Sequence, residues 1–235
     1  MRNRCLQNLV IAGVLTVGVN VMPQGVAAQS QPYVARGQEP GWSLTIDAQR
    51  ITLSKMGGER FEAATPARRT GPDGDRYDVM LDGKAVQIRI ATKLCRDIMS
   101  GMPHPDSVTI SGLGPTLNGC GGAPRALLGD AEWTIAEINA SPVQAGTSPT
   151  IQFIDDAVAG NGSCNRYRGA FTLTGEGLRI EKLASTMMAC PEPAMQQEHA
   201  LLRQLEATQR FDIRDDGALV LFDDRDRTLI AVAMR

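Results

Sequence analysis

The run GNGSCNRYRGAF, at residues 160–171, has the densest set of chemically capable residues in this sequence. Glycine-rich loops can hold phosphate on their backbone N–H groups, but a Walker A loop also needs Lys followed by Ser or Thr, which this run lacks. The dinucleotide-binding pattern G-x-G-x-x-G starts with Gly160 and Gly162 and then has Asn165 in place of the third glycine. The residues that follow predict a strand rather than a helix, so a phosphate site is disfavoured.

Cys164 in this run could be a nucleophile or one end of a disulfide. A nucleophilic thiol needs a positioned base, usually histidine, and the chain has 2 histidines, His104 and His199. His104 falls in the other half of the chain, and we expect His199 on the apolar face of a helix. The disulfide is therefore the favoured interpretation.

The number and spacing of the cysteines also favour disulfides. Apart from Cys5, the chain has Cys95, Cys120, Cys164 and Cys190, and an even number is typical of exported proteins. Four cysteines allow three pairings, and we favour Cys95–Cys120 with Cys164–Cys190 because it puts one bridge in each half. A zinc site is the competing interpretation, but paired C-x-x-C spacing is missing.

Other catalytic or metal-binding patterns are weaker. The G-x-S-x-G elbow of serine hydrolases is missing, and adjacent acids such as those in DDRD at 223–226 fit solvated turns better than an acid–base pair or a calcium loop. Met99, Met102 and His104 could bind copper(I), although methionine more often fills a core. We predict no catalytic residue, no metal and no cofactor. A copper site and an active site assembled from distant residues stay open as alternatives.

The N-terminus has the layout of a secretory signal peptide. Arg2 and Arg4 precede an apolar run, and small residues lead to a predicted cleavage after Ala28. Residues 1–28 are thus predicted to be removed, and residues 29–34 to be a flexible mature N-terminus. Cys5 precedes the apolar run, so the chain is not expected to be a lipoprotein. We predict a soluble exported protein with no stable membrane span after cleavage, and the resemblance described below implies the periplasm as its location.

The elements that would position these residues are mainly strands. Val86, Ile88 and Ile90 alternate with more polar residues, and Asp82 with Gly83 is a strong hairpin signal. Further short strands with turn signals between them continue to the C-terminus. One helix is predicted within residues 191–209. Its expected apolar face consists of Met195, His199, Leu201, Leu202 and Leu205.

These patterns predict a mainly β, α+β fold with two small antiparallel sheet or barrel-like domains. The first domain is predicted at 35–123 and the second, which contains the single packed helix, at 131–235. A Gly- and Pro-punctuated linker at 124–130 joins them. The formal net charge is −2 and no basic cluster is evident, so nucleic acid is not an expected partner.

The second half resembles the META domain family, whose members include HslJ-like heat-inducible envelope proteins. The resemblance begins near Leu127 and rests on motifs that occur in the same order. Its residues are Trp133, Gly162, Cys164, Asn165, Arg166, Tyr167, Gly169, Thr186, Met188, Cys190 and Glu198. The resemblance implies a small antiparallel sheet or barrel with a packed helix, and structural roles for these residues.

The first half resembles an uncharacterised exported bacterial domain with the motifs G-x-E-P-x-W and C-x-D-x-M-S-G-M. The matching residues are Glu39, Pro40, Trp42, Cys95, Asp97, Ser100 and Gly101. Relatives have an aromatic residue where this chain has Gly41.

The META resemblance implies a non-enzymatic envelope protein that acts in heat stress or novobiocin-type antibiotic tolerance. It would act by binding or by envelope assembly, with an envelope protein or an apolar ligand as its partner. The alternative is a module that binds a lipid or a small apolar ligand in a half-open barrel, by analogy with similar folds.

Overall fold

Two antiparallel sheets contain most of the regular structure in residues 31–129 and 132–233, the part of the chain that this computed structural model describes. The predicted signal peptide, Cys5 and residues 29–30 lie outside the described residues. The predicted fold class is confirmed, because strands dominate and one of the two described helices is long.

The first sheet has the order β4-β3-β2-β1-β11-β10-β7-β6-β5, and β8 pairs with β9 beside it. Its strands are β1 Tyr33–Gln38, β2 Gly41–Ile46, β3 Arg50–Lys55, β4 Arg60–Ala64, β5 Arg69–Gly71, β6 Gly74–Leu81, β7 Lys84–Ala91, β10 Asp106–Ser111 and β11 Leu117–Gly121, and the separate pair consists of β8 Cys95–Arg96 and β9 Pro103–His104. Asp82 and Gly83 both have positive φ, at 49° and 71°, as the turn between β6 and β7 requires. The sheet curls so that β4 approaches β6, which gives a half-barrel.

Trp42 is central to the core of this half-barrel. Its indole is 5% exposed, and its Nε1–H donates to the carbonyl oxygen of Asn118 at 3.3 Å. The ring lies so close to Gly37 and Gly119 that a Cβ on Gly37 would be 2.2 Å from Nε1. These two glycines therefore make room for the Trp42 ring between β1, β2 and β11.

The second sheet follows a short helix, α1 Arg125–Leu128, and has the order β17-β16-β15-β14-β12-β21-β20-β19. Its strands are β12 Trp133–Ile138, β13 Ser141–Pro142, β14 Thr150–Ile154, β15 Ala157–Asn161, β16 Arg166–Thr174, β17 Gly177–Ile180, β18 Ala184–Ser185, β19 Arg210–Ile213, β20 Leu219–Phe222 and β21 Thr228–Ala233. β13 pairs with β12, and β18 pairs with β16. The N–H of Leu178 donates to the oxygen of Gln209 at 3.0 Å, so the sheet is nearly closed into a barrel.

Helix α2, Glu192–Glu206, lies within the predicted segment and packs against β12, β17 and β21. The predicted apolar face was partly wrong, because His199 is exposed and Met195 is only partly buried. Leu201 and Leu205 are fully buried as expected. Three polar residues share their face, namely Gln197, Glu198 and Gln204. Their side chains find hydrogen-bond partners on other segments, which makes burial of these polar groups possible.

Residues 95–104, which we call the docking loop, lie between β7 and β10 of the first sheet and contact the second sheet. Met102 from this loop is 5% exposed and belongs to the core of the second sheet. Arg96 adds a polar contact, because its Nε lies 3.0 Å from both carboxylate oxygens of Asp212 and its terminal nitrogen donates to the oxygen of Ile213 at 2.9 Å. The predicted domain limits stay a prediction. The predicted linker, residues 124–130, contains α1, whose Leu128 is buried in the same core.

We predict that Met102→Ala destabilises the protein by about 2–5 kcal/mol, because it leaves a cavity in the second core. Met99→Ala is the matched control from the same loop, because Met99 is 77% exposed, and should change the free energy of unfolding by no more than about 0.5 kcal/mol. Urea unfolding of both variants measures the difference. Equal effects would show that Met102 does not secure the contact between the sheets.

Candidate functional site

The run that first suggested chemistry forms a corner between β15 and β16. Gly160 and Asn161 end β15, Arg166 begins β16, and the N–H of Gly162 donates to the oxygen of Asn165 at 2.7 Å. β15 contains a glycine and was not predicted from the sequence. We refer to residues 162–165 and their contacts as the signature corner.

Glu198 of helix α2 holds the signature corner. Its carboxylate accepts the backbone N–H of Cys164 at 3.2 Å, the N–H of Asn165 at 2.6 Å and the Asn165 side-chain amide at 2.8 Å. Glu198 is only 4% exposed, so these donors replace water around a buried carboxylate. A Cβ on Gly162 would lie 2.6 Å from Glu198 Oε2, which explains the glycine at this position.

Asn165 connects this contact to the segment before the helix. Its side-chain oxygen accepts the hydroxyl of Thr186 at 2.8 Å and the N–H of Met188 at 2.7 Å. The disulfide Cys164–Cys190 joins the same two segments, and the predicted pairing of Cys95 with Cys120 is also confirmed. Cys164 therefore has no free thiol, and the corner N–H groups that could have bound phosphate are occupied: those of Cys164 and Asn165 by Glu198, and those of Gly162 and Ser163 by Asn165 and Asn161.

Gln197, next to Glu198, was not predicted to contribute to the corner. Its side-chain oxygen accepts the N–H of Gln144 at 2.7 Å, and its amide donates to the hydroxyls of Thr147 and Ser163. Ser163 has a φ of 100°, which is uncommon for a residue with a side chain. These contacts could not be predicted from local patterns, because glutamine in a helix is usually exposed.

Tyr167 lies beyond the corner on β16. Its hydroxyl is buried and donates to the oxygen of Thr150 at 2.6 Å. Burial and the nearby Glu132 carboxylate raise the pKa of Tyr167 well above its usual range, so the phenol stays neutral. Its role in this position is a structural hydrogen bond.

The other predicted family residues of the second half make contacts that support the fold. The Trp133 indole N–H donates to the oxygen of Leu128 at 2.8 Å. Arg166 is exposed, and its backbone exchanges hydrogen bonds with Thr186. A Cβ on Gly169 would lie 2.7 Å from the side chain of Leu183.

The predicted residues of the first half fall at two places. Glu39 and Pro40 are exposed in the turn between β1 and β2, joined by a cis peptide bond, and Trp42 is buried as described above. Asp97, Ser100 and Gly101 build the tip of the docking loop.

The Asp97 carboxylate organises this tip. One of its oxygens accepts the N–H groups of Met99 and Ser100 at 3.0 and 2.8 Å and the Ser100 hydroxyl at 3.0 Å, and the other accepts the Gln38 side chain at 3.1 Å. Gly101 follows with a φ of 70°. Partial burial opposes ionisation of Asp97, but the hydrogen bonds from Ser100, Gln38 and Met99 outweigh it and hold the pKa of Asp97 below its usual value.

A cleft of about 1310 Å³ lies between the two sheets, beside the docking loop. The outer face of β1 forms one wall, the docking loop and residues 120–125 form the floor, and the end of β16 forms the other wall. Its apolar lining includes Val34, Met99, Met102, Phe171 and Leu173. Its charged lining residues are Arg36, Asp97, Arg125 and Asp156.

The structure gives no support to the metal alternatives within the described residues. No group of three or more His, Cys, Asp or Glu there could hold a metal ion. Met99, Met102 and His104 all line the cleft, but Met102 packs into a core and the Nδ1–H of His104 donates to the oxygen of Gly122 at 2.9 Å. In the DDRD run, the Asp223 carboxylate accepts hydrogen bonds from within its own turn. The donors are the backbone N–H groups of Arg225 and Arg227 and the Arg227 guanidinium.

The second half is thus a barrel-like antiparallel domain with one packed helix whose disulfide-linked corner is held by a buried carboxylate. Residues 126–234 match the META domain family, which supports the predicted resemblance of the second half. The HslJ-like subtype and the type of the first domain stay predictions.

Two structures solved by NMR are similar to part of the chain. A protein from Burkholderia xenovorans is 26% identical over 46% of this chain and 85% of its own, with a TM-score of 0.40. Another protein is 23% identical over 48% of this chain and 95% of its own, with a TM-score of 0.39. No curated protein matches the chain. Among the residues described, none of the helices has the length and apolar character needed to cross a membrane.

We predict that Glu198→Gln destabilises the protein by about 1–3 kcal/mol. Glutamine would turn an N–H donor toward the N–H groups of the corner, whichever way its amide is placed. Glu192→Gln in the exposed first turn of the same helix is the control and should cost no more than about 0.5 kcal/mol. Thermal and urea unfolding compare them. If both variants are as stable as the wild type, Glu198 does not hold the corner.

We also predict a pH dependence from Asp97. Because its folded pKa is lower than the usual 3.8, ionised Asp97 stabilises the fold above that pH, and the contribution is lost as pH falls through the folded pKa. Asp97→Asn should therefore lower the melting temperature at pH 7, and its difference from the wild type should shrink as the pH is lowered below 3.8. Scanning calorimetry from pH 7 to acid measures this. A difference that does not vary with pH would contradict it.

Proposed function

We propose that this protein is an exported, non-enzymatic binding protein of the bacterial envelope, acting in stress tolerance, with the cleft between the sheets as its ligand site. The observation that carries the proposal is the apolar cleft of about 1310 Å³, formed by residues from both halves. Large concave surfaces with apolar walls and a few polar groups are typical binding sites.

Three further features support the proposal. The two disulfides fit an oxidising compartment, which agrees with the signal peptide expected at 1–28. The META domain supports a stress-related role, with heat and novobiocin-type antibiotics as the stresses that its HslJ-like resemblance suggests. The periplasm is the proposed location.

The position of the ligand site differs from the alternative that places a lipid inside a half-open barrel. Interior side chains of the second sheet, among them Phe153, Leu178 and Phe211, are almost completely buried against one another. Leu201 and Leu205 of α2 fill the same core. The proposal therefore places the ligand between the sheets and not inside the barrel.

We predict that Val34→Arg abolishes ligand binding and function, because Val34 lies on the outer face of β1 in the cleft and is 43% exposed. A long charged side chain there obstructs the apolar wall without disturbing a core. Val232→Arg is the matched control, because Val232 is 44% exposed on β21 and is not part of the cleft lining.

The test combines chemistry and genetics. Native mass spectrometry of protein purified from the periplasm should show a bound molecule on the wild type and on Val232→Arg, and none on Val34→Arg. A deletion strain exposed to heat, novobiocin and detergent should be rescued by the wild type and by Val232→Arg, but not by Val34→Arg. Full rescue by Val34→Arg would contradict the proposed site. Substrate turnover that a single substitution removes would contradict a non-enzymatic role.

A further inference from the structure

Strand β16 extends beyond its neighbour β15 and has an open edge in the cleft. β15 pairs with β16 only between Ala157–Ala170 and Asn161–Arg166. The N–H of Phe171 still donates to the oxygen of Asp156 at 3.0 Å. Past this contact, no described strand lies on this side of β16, so residues 172–174 are paired only with β17.

The register shows where the backbone groups of Leu173 point. Leu173 lies opposite Leu178, whose N–H donates away from β16 to Gln209. In an antiparallel ladder, opposite residues either exchange both hydrogen bonds or both point away from each other. Leu173 and Leu178 are therefore a pair of the second kind. The N–H of Glu181 donates to the oxygen of Ala170 at 2.9 Å, so Ala170 points toward β17. This agrees with the alternation along β16, because Ala170 and Leu173 are an odd number of residues apart.

The N–H and C=O of Leu173 consequently face the open edge, in the wall of the cleft. An unpaired strand edge is a template for another strand, because it presents donors and acceptors at the spacing of an extended backbone. The side chain of Leu173 does not block this edge, since it packs against the core of the second sheet.

The cleft is larger than most small-molecule sites, and its charged lining residues balance one another. Its volume of about 1310 Å³ exceeds the roughly 300–1,000 Å³ typical of such sites. Its charged lining residues are balanced, with Arg36 and Arg125 against Asp97 and Asp156. The balance does not favour an anionic lipid headgroup, and an alkyl chain offers nothing to pair with the backbone of Leu173.

We propose that the cleft binds an extended peptide segment, which adds to the sheet as a strand beside β16 at Leu173. The peptide would have small apolar side chains at alternate positions, to contact Val34 and Met99 across the cleft. The proposal rests on the proposed function, because it names the ligand class of the same site.

The first experiment tests backbone pairing with defined probes. The mature protein is titrated into a dye-labelled peptide, acetyl-Lys-Val-Thr-Val-Thr-Lys-amide, and binding is followed by fluorescence anisotropy. The matched probe has the same side chains but methyl groups on its four central amide nitrogens. We expect the parent to bind and the methylated peptide to bind at least about tenfold more weakly, because it lacks the four central backbone donors.

The second experiment tests the edge itself. Leu173→Pro removes the outward N–H and no ladder hydrogen bond, a change that edge strands tolerate. Leu173→Ala is the control, because it loses the same side-chain packing and keeps the N–H. Peptide binding should be about tenfold weaker for the proline variant than for the alanine variant. In the wild type, the parent peptide should slow hydrogen exchange at the Leu173 amide, a readout that needs no variant.

The possible results separate the two proposals. Equal binding of both peptides, or unchanged exchange at Leu173, overturns strand addition. If the peptides fail while decanol binds to the wild type and not to Val34→Arg, the peptide proposal is overturned and the proposed function stands. A dimer that Leu173→Pro dissociates and Leu173→Ala does not would identify a second copy of the chain as the occupant and overturn the proposal.

Discussion

The insertion of Met102 into the core of the second sheet is the contact on which the arrangement of the two halves depends. Without it, the docking loop would be held to the second sheet mainly by Arg96, through its partly exposed pair with Asp212 and its hydrogen bond to the oxygen of Ile213, and such exposed pairs contribute little. Burial of one methionine side chain, by contrast, is worth about 1.5–3 kcal/mol. The cleft follows from this contact, because the same loop forms its floor.

The docking loop is itself held from within. Asp97 ties the tip together, and the disulfide from Cys95 to Cys120 fixes the start of the loop to β11. A short loop with this many internal contacts loses little conformational entropy when it docks. The C-x-D-x-M-S-G-M motif of the first half thus has a physical role, since it shapes a rigid segment that places Met102 and Arg96 against the second sheet.

Local patterns in the sequence predicted local structure well. The Asp82-Gly83 turn, the alternation in β7, the existence of helix α2 and both disulfides could be predicted because each depends on nearby residues or on a simple count. The polar residues on the buried face of α2 could not be predicted from such local patterns. Glu198 and Gln197 look like surface residues, and their donors lie more than thirty residues away along the chain. The cleft could not be predicted from the sequence either, because it forms only where the two sheets pack against each other.

The consecutive disulfide pairing has a consequence for how the chain matures. The bridges span 25 and 26 residues and neither encloses a cysteine of the other. A chain that enters an oxidising compartment from its N-terminus can therefore close Cys95 to Cys120 before Cys164 has arrived. Each thiol then meets its native partner as the next cysteine available, so correct oxidation does not require a wrong pair to be formed and reshuffled first.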